Sequence, residues 1–442
     1  MATHEEMHST RGRAHMLFEM LQGEVIDQGW KDDHVKEALD LCLSCKACKH
    51  ECPVNVDMAT YKAEFMSHYY EGRLRPIHAY AYGFIDRWAE LASVAPEAVN
   101  LVTHAPGLRF VAKAIAGMPQ QRHIPPFSPY TFSHWFEGRN KKQSPERSGK
   151  KPQVILWPDT FNNYFHPQTA EAATRVLEGA GFQVLVPHQH VCCGRPLYDF
   201  GFLKEAKRYL QRNLKVIGNS VNAGLPVVVL EPSCASVFRD EMRELMPHDE
   251  TAKRLQKQTF LLSEFLERCA DDYRPARWNV KTIVHGHCHH KSLMKMVDEE
   301  SLLKKMGAEV TTLDSGCCGM AGPFGFEKKK YQVSQALAER VLVPAVRASE
   351  PRDIIVTDGF SCREAVSQNS DRKALHLAEV LDLAQRGLGN TDFPEDATLT
   401  NLKKASRRQR FTMLTMAISI TAAVVCIAAS RFILRSHLPK AP

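Results

Sequence analysis

The stretches VCCGRP (residues 191–196) and SGCCGMAG (residues 315–322) each set two adjacent cysteines before a glycine, 125 residues apart. Around them, short apolar runs alternate with helix-compatible segments. PQVILWPD (152–159) reads as a buried strand, HPQTAEAATRVLEGAG (166–181) as a helix, and FQVLVPHQ (182–189) as a second strand. FLKEAKRYLQRNLKVIG (202–218) is helical, LPVVVLEPSC (225–234) is a strand entering a cysteine loop, and a helical stretch covers about 248–270. The pattern restarts with VKTIVHGHCHHKS (280–292), SLLKKMGAEVTTLDSGCCG (301–319), the helix YQVSQALAERVL (331–342) and the strand RDIIVTDGFSC (352–362). This is an internal repeat of α/β units with cysteines following apolar strands. Open α/β sheets bind ligands just beyond the carboxyl ends of their strands. The cysteines therefore form two candidate metal groups, Cys192, Cys193 and Cys234, and Cys288, Cys317, Cys318 and Cys362.

The group of Cys288, Cys317, Cys318 and Cys362 offers four thiolates, enough for an iron–sulfur cluster or zinc. The group of Cys192, Cys193 and Cys234 offers three, so it needs a histidine such as His188 or His190, a substrate ligand, or is vestigial. Asp159 occupies the place where the repeat would put the counterpart of Cys288. His285, His287, His289 and His290 crowd Cys288 and could bind metal, orient a cluster or face solvent.

Upstream, LDLCLSCKACKHECPVNVDMATYKAEF (39–65) holds Cys42, Cys45, Cys48 and Cys52 with Pro53 behind the last. This compact spacing with proline is the ferredoxin signature of a [4Fe–4S] cluster; zinc sites more often pair two short cysteine hooks. In two-cluster proteins the fourth cysteine of each run ligates the other cluster. Cys42, Cys45 and Cys48 then expect a ligand from another run, and none occurs in residues 1–41. No catalytic acid, base or nucleophile is assigned.

The 442 residues are 44% hydrophobic and 24% charged, composition enough for two or three domains. The formal charge of +7 comes without an aromatic-interleaved basic stripe, so nucleic acid is not an expected partner. No signal peptide is visible, and thirteen clustered cysteines suit a reducing compartment. No Rossmann glycine fingerprint occurs, so FAD is not expected on this chain. The expected organisation is a helical ferredoxin-like domain (1–118), a Pro/Gly/Ser-rich linker (119–152), cysteine-rich domains at 153–275 and 276–390, and a basic polar linker (391–410). Residues 411–430, FTMLTMAISITAAVVCIAAS, are twenty consecutive uncharged residues, about 30 Å of helix, and are expected to be a membrane helix. The arginines before them point to a cytoplasmic body at the membrane face.

HSTRGRA (8–14), the cysteine run at 42–52, both CCG motifs, GHCHHKSLM (286–294) and DGFSCREAVSQ (358–368) resemble the iron–sulfur half of FAD-linked 2-hydroxy-acid dehydrogenases. That group includes D-lactate and D-2-hydroxyglutarate dehydrogenases. The chain is also similar to the iron–sulfur subunits of glycolate oxidase and anaerobic glycerol-3-phosphate dehydrogenase, and its CCG units resemble the cysteine-rich domains of heterodisulfide reductase. The resemblance covers about residues 2–388 and implies an α+β multidomain fold with tandem CCG domains. It also implies an FAD-containing partner domain or subunit and electron transfer toward a membrane quinone. In fused members a flavin domain and a first cysteine run precede a segment like ATHEEMHSTRGRA, so the missing partner run is expected upstream of Met1. The heterodisulfide reductase pattern carries a further cysteine shortly before the last one. Here Glu231–Ser233 and Gly359–Ser361 stand there, which favours a conventional cluster or zinc. The rival readings are a CCG reductase acting on a disulfide or quinone itself, a glycerol-3-phosphate dehydrogenase subunit, and an inactive remnant.

Overall fold

The computed structural model describes residues 2–140, 151–388 and 394–398. Two parallel sheets carry the α/β repeat. The first has strands β1 (Gln153–Trp157), β2 (Gln183–Leu185), β3 (Val227–Val229) and β4 (Thr259–Leu261), in the order β2-β1-β3-β4. The second has β5 (Lys281–Val284), β6 (Glu309–Thr312) and β7 (Ile354–Val356), in the order β6-β5-β7. Both orders step from the first strand to one side and then return to the other. That reversal opens a crevice at the carboxyl ends.

The apolar strands alternate their side chains between two cores, as a two-residue period requires. Val154 and Leu156 of β1 enter one core, while Ile155 and Trp157 enter the other. Helix Leu203–Asn222 covers the latter through Leu210, Ile217 and Val221. The former core runs on into the second sheet through Val284, Ile354 and Val356, so the two α/β units share it. Helices Pro167–Gly179 and Leu377–Gln385 meet across this seam, where Arg175 grips Asp382 at 2.7 and 2.8 Å. The strand β4 lies inside the stretch expected to be helical from 248 to 270, which becomes helix Glu250–Gln258, β4 and helix Leu262–Arg268.

The N-terminal region is helical, as expected. Ser9 caps helix Thr10–Gln22 by accepting from Gly12 N–H, and Asp32 caps helix Asp33–Asp40 through His34 and Val35 N–H. Beyond it, Met118 and Arg122 are buried against the second α/β unit. Arg122 donates to Gly325 O at 3.0 Å and Ser334 Oγ at 2.7 Å.

The expected membrane helix is corrected. Among the described residues no helix is long and apolar enough to cross a membrane. The 20-residue helix Leu203–Asn222 has the length, but it exposes Lys204, Lys207, Arg208 and Lys215 opposite its core face. The fold class is a helical N-terminal region followed by tandem CCG α/β domains, with no membrane-crossing helix among the described residues. The membrane partner and the membrane-face localisation, read from the tail, likewise have no membrane-crossing helix behind them among the described residues. Residues 411–430 themselves lie outside the described residues.

Candidate cysteine-rich centre

The first cysteine loop turns on two left-handed residues, Ser44 (φ +52°) and Lys46 (φ +63°). Their turns bring Cys42, Cys45 and Cys48 round, with Cys48 on the short helix Ala47–Glu51. Met58 N–H donates to Cys48 Sγ at 3.4 Å. Arg13, from the HSTRGRA segment, is anchored on Ala38 O at 2.8 Å, and its guanidinium is felt by Cys42, Cys45 and Cys48 together. Cys52 stands apart. Its sulfur accepts from the Val56, Val54 and Asn55 amides, which pull its thiol below the usual range.

Both α/β units clasp this loop. Ser44 O accepts from Arg195 Nη2 and faces His289 Nε2, each at 3.0 Å, and Ser292 donates to Cys45 O at 3.2 Å. Lys46 is fully buried, with its ammonium 2.6 Å from Asp57, 2.9 Å from Asp240 and 3.4 Å from Glu241. Burial pushes the Cys45 thiol up to about 12, and Cys288 is the strongest neighbouring charge acting the same way.

In the second group, Cys193 and Cys234 lie with sulfurs 2.9 Å apart and Cys192 hydrogen-bonds to Cys193. The structure does not supply the suggested histidine ligand. His188 is exposed beside Glu137, while His190 bridges Tyr164 at 3.0 Å and Asp86 at 3.1 Å. Asp159 caps helix Thr160–Tyr164 through the Phe161 and Asn162 amides and also accepts from Asn162 Nδ2 at 2.8 Å. Burial, then Glu231, pushes its carboxyl up to about 6. A carboxyl raised on folding favours the native state below its unfolded value near 4, and that benefit is lost as pH rises through 6. The loss is on the order of 3 kcal/mol. Asp159→Asn is therefore expected to flatten the pH dependence of Tm between pH 4 and 6; an unchanged slope would show that the carboxyl titrates normally.

In the third group the thiols hydrogen-bond in series, Cys288 to Cys317 to Cys318 to Cys362. Hydrogen bonds from Cys317 and Cys362 pull Cys318 below the usual thiol range, against its burial. His285 joins them: its ligand atom and those of Cys318 and Cys362 all lie within 4.8 Å of one another. Ser315 Oγ holds the other ring nitrogen at 2.7 Å, an arrangement typical behind metal-binding histidines. None of the four histidines faces solvent; their exposures run from 1% to 8%. Gly319 (φ +84°) closes the CCG turn, and a Cβ there would drive into the Ser334 carbonyl oxygen. Gly319→Ala is expected to cost about 3 kcal/mol or more, read as a fall in Tm or denaturant midpoint.

These groups converge. A cavity of about 170 Å³ is walled by Cys45, Cys192, Cys193, Cys234 and Cys288, with Phe127, Phe161, Phe165, Phe326 and Phe360 as apolar sides. Phe161 and Phe360 stack at 4.2 Å. Glu231 crosses between the units, accepting from Phe360 N–H at 2.8 Å and from Ser233 Oγ at 2.8 Å. Arg195 and Lys46 were not singled out from the sequence. Arg13 was marked only through the HSTRGRA motif, and Glu231 only as standing where a further cysteine would be.

The family model of the cysteine-rich CCG domain matches residues 160–239 and 284–366. D-2-hydroxyglutarate dehydrogenase of Escherichia coli (strain K12) is 25% identical over 355 residues, covering 78% of this chain and 34% of that protein. A subunit of the anaerobic glycerol-3-phosphate dehydrogenase of the same organism is 29% identical over 290 residues, covering 64% and 71%. Lactate utilization protein A of Bacillus velezensis is 28% identical over 245 residues, covering 52% and 99%. The chain thus spans about a third of the length of the first of these relatives. It carries two cysteine-rich CCG domains and is similar to D-2-hydroxyglutarate dehydrogenase and to the anaerobic glycerol-3-phosphate dehydrogenase subunit, so the resemblance carried by its motifs holds.

Proposed function

We propose that the chain is the iron–sulfur electron-transfer module of a flavin-linked 2-hydroxy-acid dehydrogenase. It takes electrons from a flavin-containing domain or subunit and passes them toward a quinone. Cys42, Cys45 and Cys48 hold a [4Fe–4S] cluster, Cys52 contributes to a second one, and Cys288, Cys317, Cys318 and Cys362 hold an iron–sulfur cluster or zinc. The observation that carries this reading is the meeting of Cys45 and Cys288 on one cavity wall, with their loops tied through Ser44 and Ser292. The donor sets suit iron: soft thiols grouped at short range, largely buried in the CCG units and partly buried in the first loop, with an amide N–H on Cys48. Such a cluster, when bound, supplies one-electron transfer.

The chain's own residues set distance, burial and charge. Arg13 places a cationic group beside the first loop, while Lys62 donates to Cys42 O at 2.7 Å, its ammonium pulled below the usual range by burial and then by Lys330. Positive charge there favours the reduced form of the site and raises its potential. The test is the iron, sulfide, zinc and flavin content of protein purified anaerobically, with electron paramagnetic resonance after reduction. A [4Fe–4S] signal is expected; iron below one atom per chain, even with a co-expressed flavin partner, rules the reading out.

The aromatic-walled cavity favours a second reading, in which the CCG pair itself reduces a quinone or a disulfide. Either substrate takes up two electrons and two protons, giving a quinol or two thiols. Phe360→Trp, which narrows the cavity, would then slow reduction of a soluble quinone by the dithionite-reduced chain. It would leave the electron paramagnetic resonance signal unchanged.

A further inference from the structure

His290, Glu299 and Asp358 meet beneath the loops that follow β5 and β7, buried to 1%, 1% and 4% exposure. His290 opens the helical turn His290–Met294, Glu299 lies in the first turn of helix Val297–Met306, and Asp358 follows β7. One ligand atom from each lies within 4.8 Å of the other two. His290 Nδ1 stands 3.3 Å from Glu299 Oε2. Among the described residues neither ring nitrogen of His290, nor Glu299 Oε2, has a hydrogen-bond partner. Buried polar atoms are nearly always satisfied, and leaving one bare costs about 1–3 kcal/mol. Glu299 also hydrogen-bonds to Asp358, so two carboxyl groups face each other. Among the described residues their ion-pair neighbours are the histidines His290 and His376.

We infer that His290, Glu299 and Asp358 bind one divalent transition-metal cation, zinc by their donor set, at a site separate from the cysteine groups. A neutral imidazole and two carboxylates carry two negative charges, which one such ion cancels. Zinc takes histidine nitrogen and carboxylate oxygen at about 2.0–2.2 Å, which sets tetrahedral neighbours about 3.4 Å apart. The 3.3 Å between Nδ1 and Oε2 matches that spacing. The surroundings orient the ligands. Asp358 Oδ1 accepts Leu377 N–H at 2.9 Å and lies 3.4 Å from His376 Nε2, itself held by Leu230 O at 3.0 Å. Burial, reinforced by Asp358, drives the Glu299 carboxyl well above its usual range, and a cation would reverse that.

The consequence reaches the cysteine centre. Cys288 precedes His290 by two residues and Cys362 follows Asp358 by four. The ion ties together the two loops that carry these thiols. The competing account is a single proton shared between Glu299 and Asp358, with His290 idle.

Zinc and iron are measured in the full chain purified after growth with zinc, beside Glu299→Gln, a variant of the same shape. The variant is expected to lose one zinc per chain, to keep its iron and to melt at a lower temperature. Equal zinc in the two proteins overturns the site. So does a zinc-free wild type accompanied by a variant of equal or higher Tm, which is the shared-proton outcome. Where the variant does not fold, X-ray absorption at the zinc edge of the wild type decides. A nitrogen and oxygen shell at about 2.0–2.2 Å supports the site, and a purely sulfur shell at about 2.3 Å overturns it.

Discussion

Replacing Cys45 with alanine is expected to cut the electron paramagnetic resonance signal of the reduced first cluster at least tenfold and leave the fold intact. Cys45 is partly buried, and its thiol faces Cys288 rather than a hydrophobic core partner. Losing one sulfur there costs about 1 kcal/mol of packing, a small fraction of the stability of a domain. The effect on metal is far larger. Cys42 and Cys48 are left as two of three local ligands, and iron is expected to fall by about four atoms per chain. Cys269→Ala is the control, because that residue is exposed and lies outside all three groups. An unchanged spectrum in Cys45→Ala would move the cluster elsewhere in the chain.

Lys46→Met should destabilise the protein by about 3–5 kcal/mol, the cost of stranding buried charges without their partner. Burial opposes the Lys46 ammonium, but Glu241, Asp240 and Asp57 outweigh it and hold the group charged. Methionine fills the same volume and leaves these carboxylates facing one another, with Lys49 as their remaining ammonium. Asp57 titrates below its usual range; after burial, which works the other way, Lys46 is the main cause. A depressed carboxyl contributes stability above its unfolded pKa near 4, and that stability is lost as pH falls through the lower native value. The gap between wild type and variant is therefore expected to close on acidification below about pH 4. Chemical denaturation at pH 7 and pH 3.5 measures both quantities. A loss under about 1 kcal/mol at pH 7 would mean that the acids are satisfied without Lys46.

The repeat was legible because parallel strands buried on both faces must be continuously apolar, as Val227–Val229 and Ile354–Val356 are. Strand β4 was not legible: Thr259–Leu261 is three residues long and sits between two helices with no glycine or proline to mark it. Among the site residues, the cysteines announce themselves by spacing, since thiolates must reach one point from a short loop. His285 and its neighbours do not, because a histidine beside a cysteine in sequence has no fixed direction until the loop is packed. The tail is a different case: its twenty uncharged residues meet the length for a membrane helix, but they lie outside the described residues, among which no helix has that character.

By itself the sequence determined the α/β repeat and the helical character of the N-terminal region, and it marked three cysteine groups, because each depends on residue type at short spacing. It did not show helix Phe132–Asn140, which lies inside the stretch read as a linker and packs Phe132 and Phe136 into the core. Only the tertiary structure decided that Cys45 meets Cys288, that Lys46 reaches Asp240 and Glu241, and that His290 sinks beside Glu299 and Asp358. These pairs are 243, 194, 195, 9 and 68 residues apart in the chain. Over most of those separations no local periodicity links one residue to its partner, and the shared core between the two sheets brings them together.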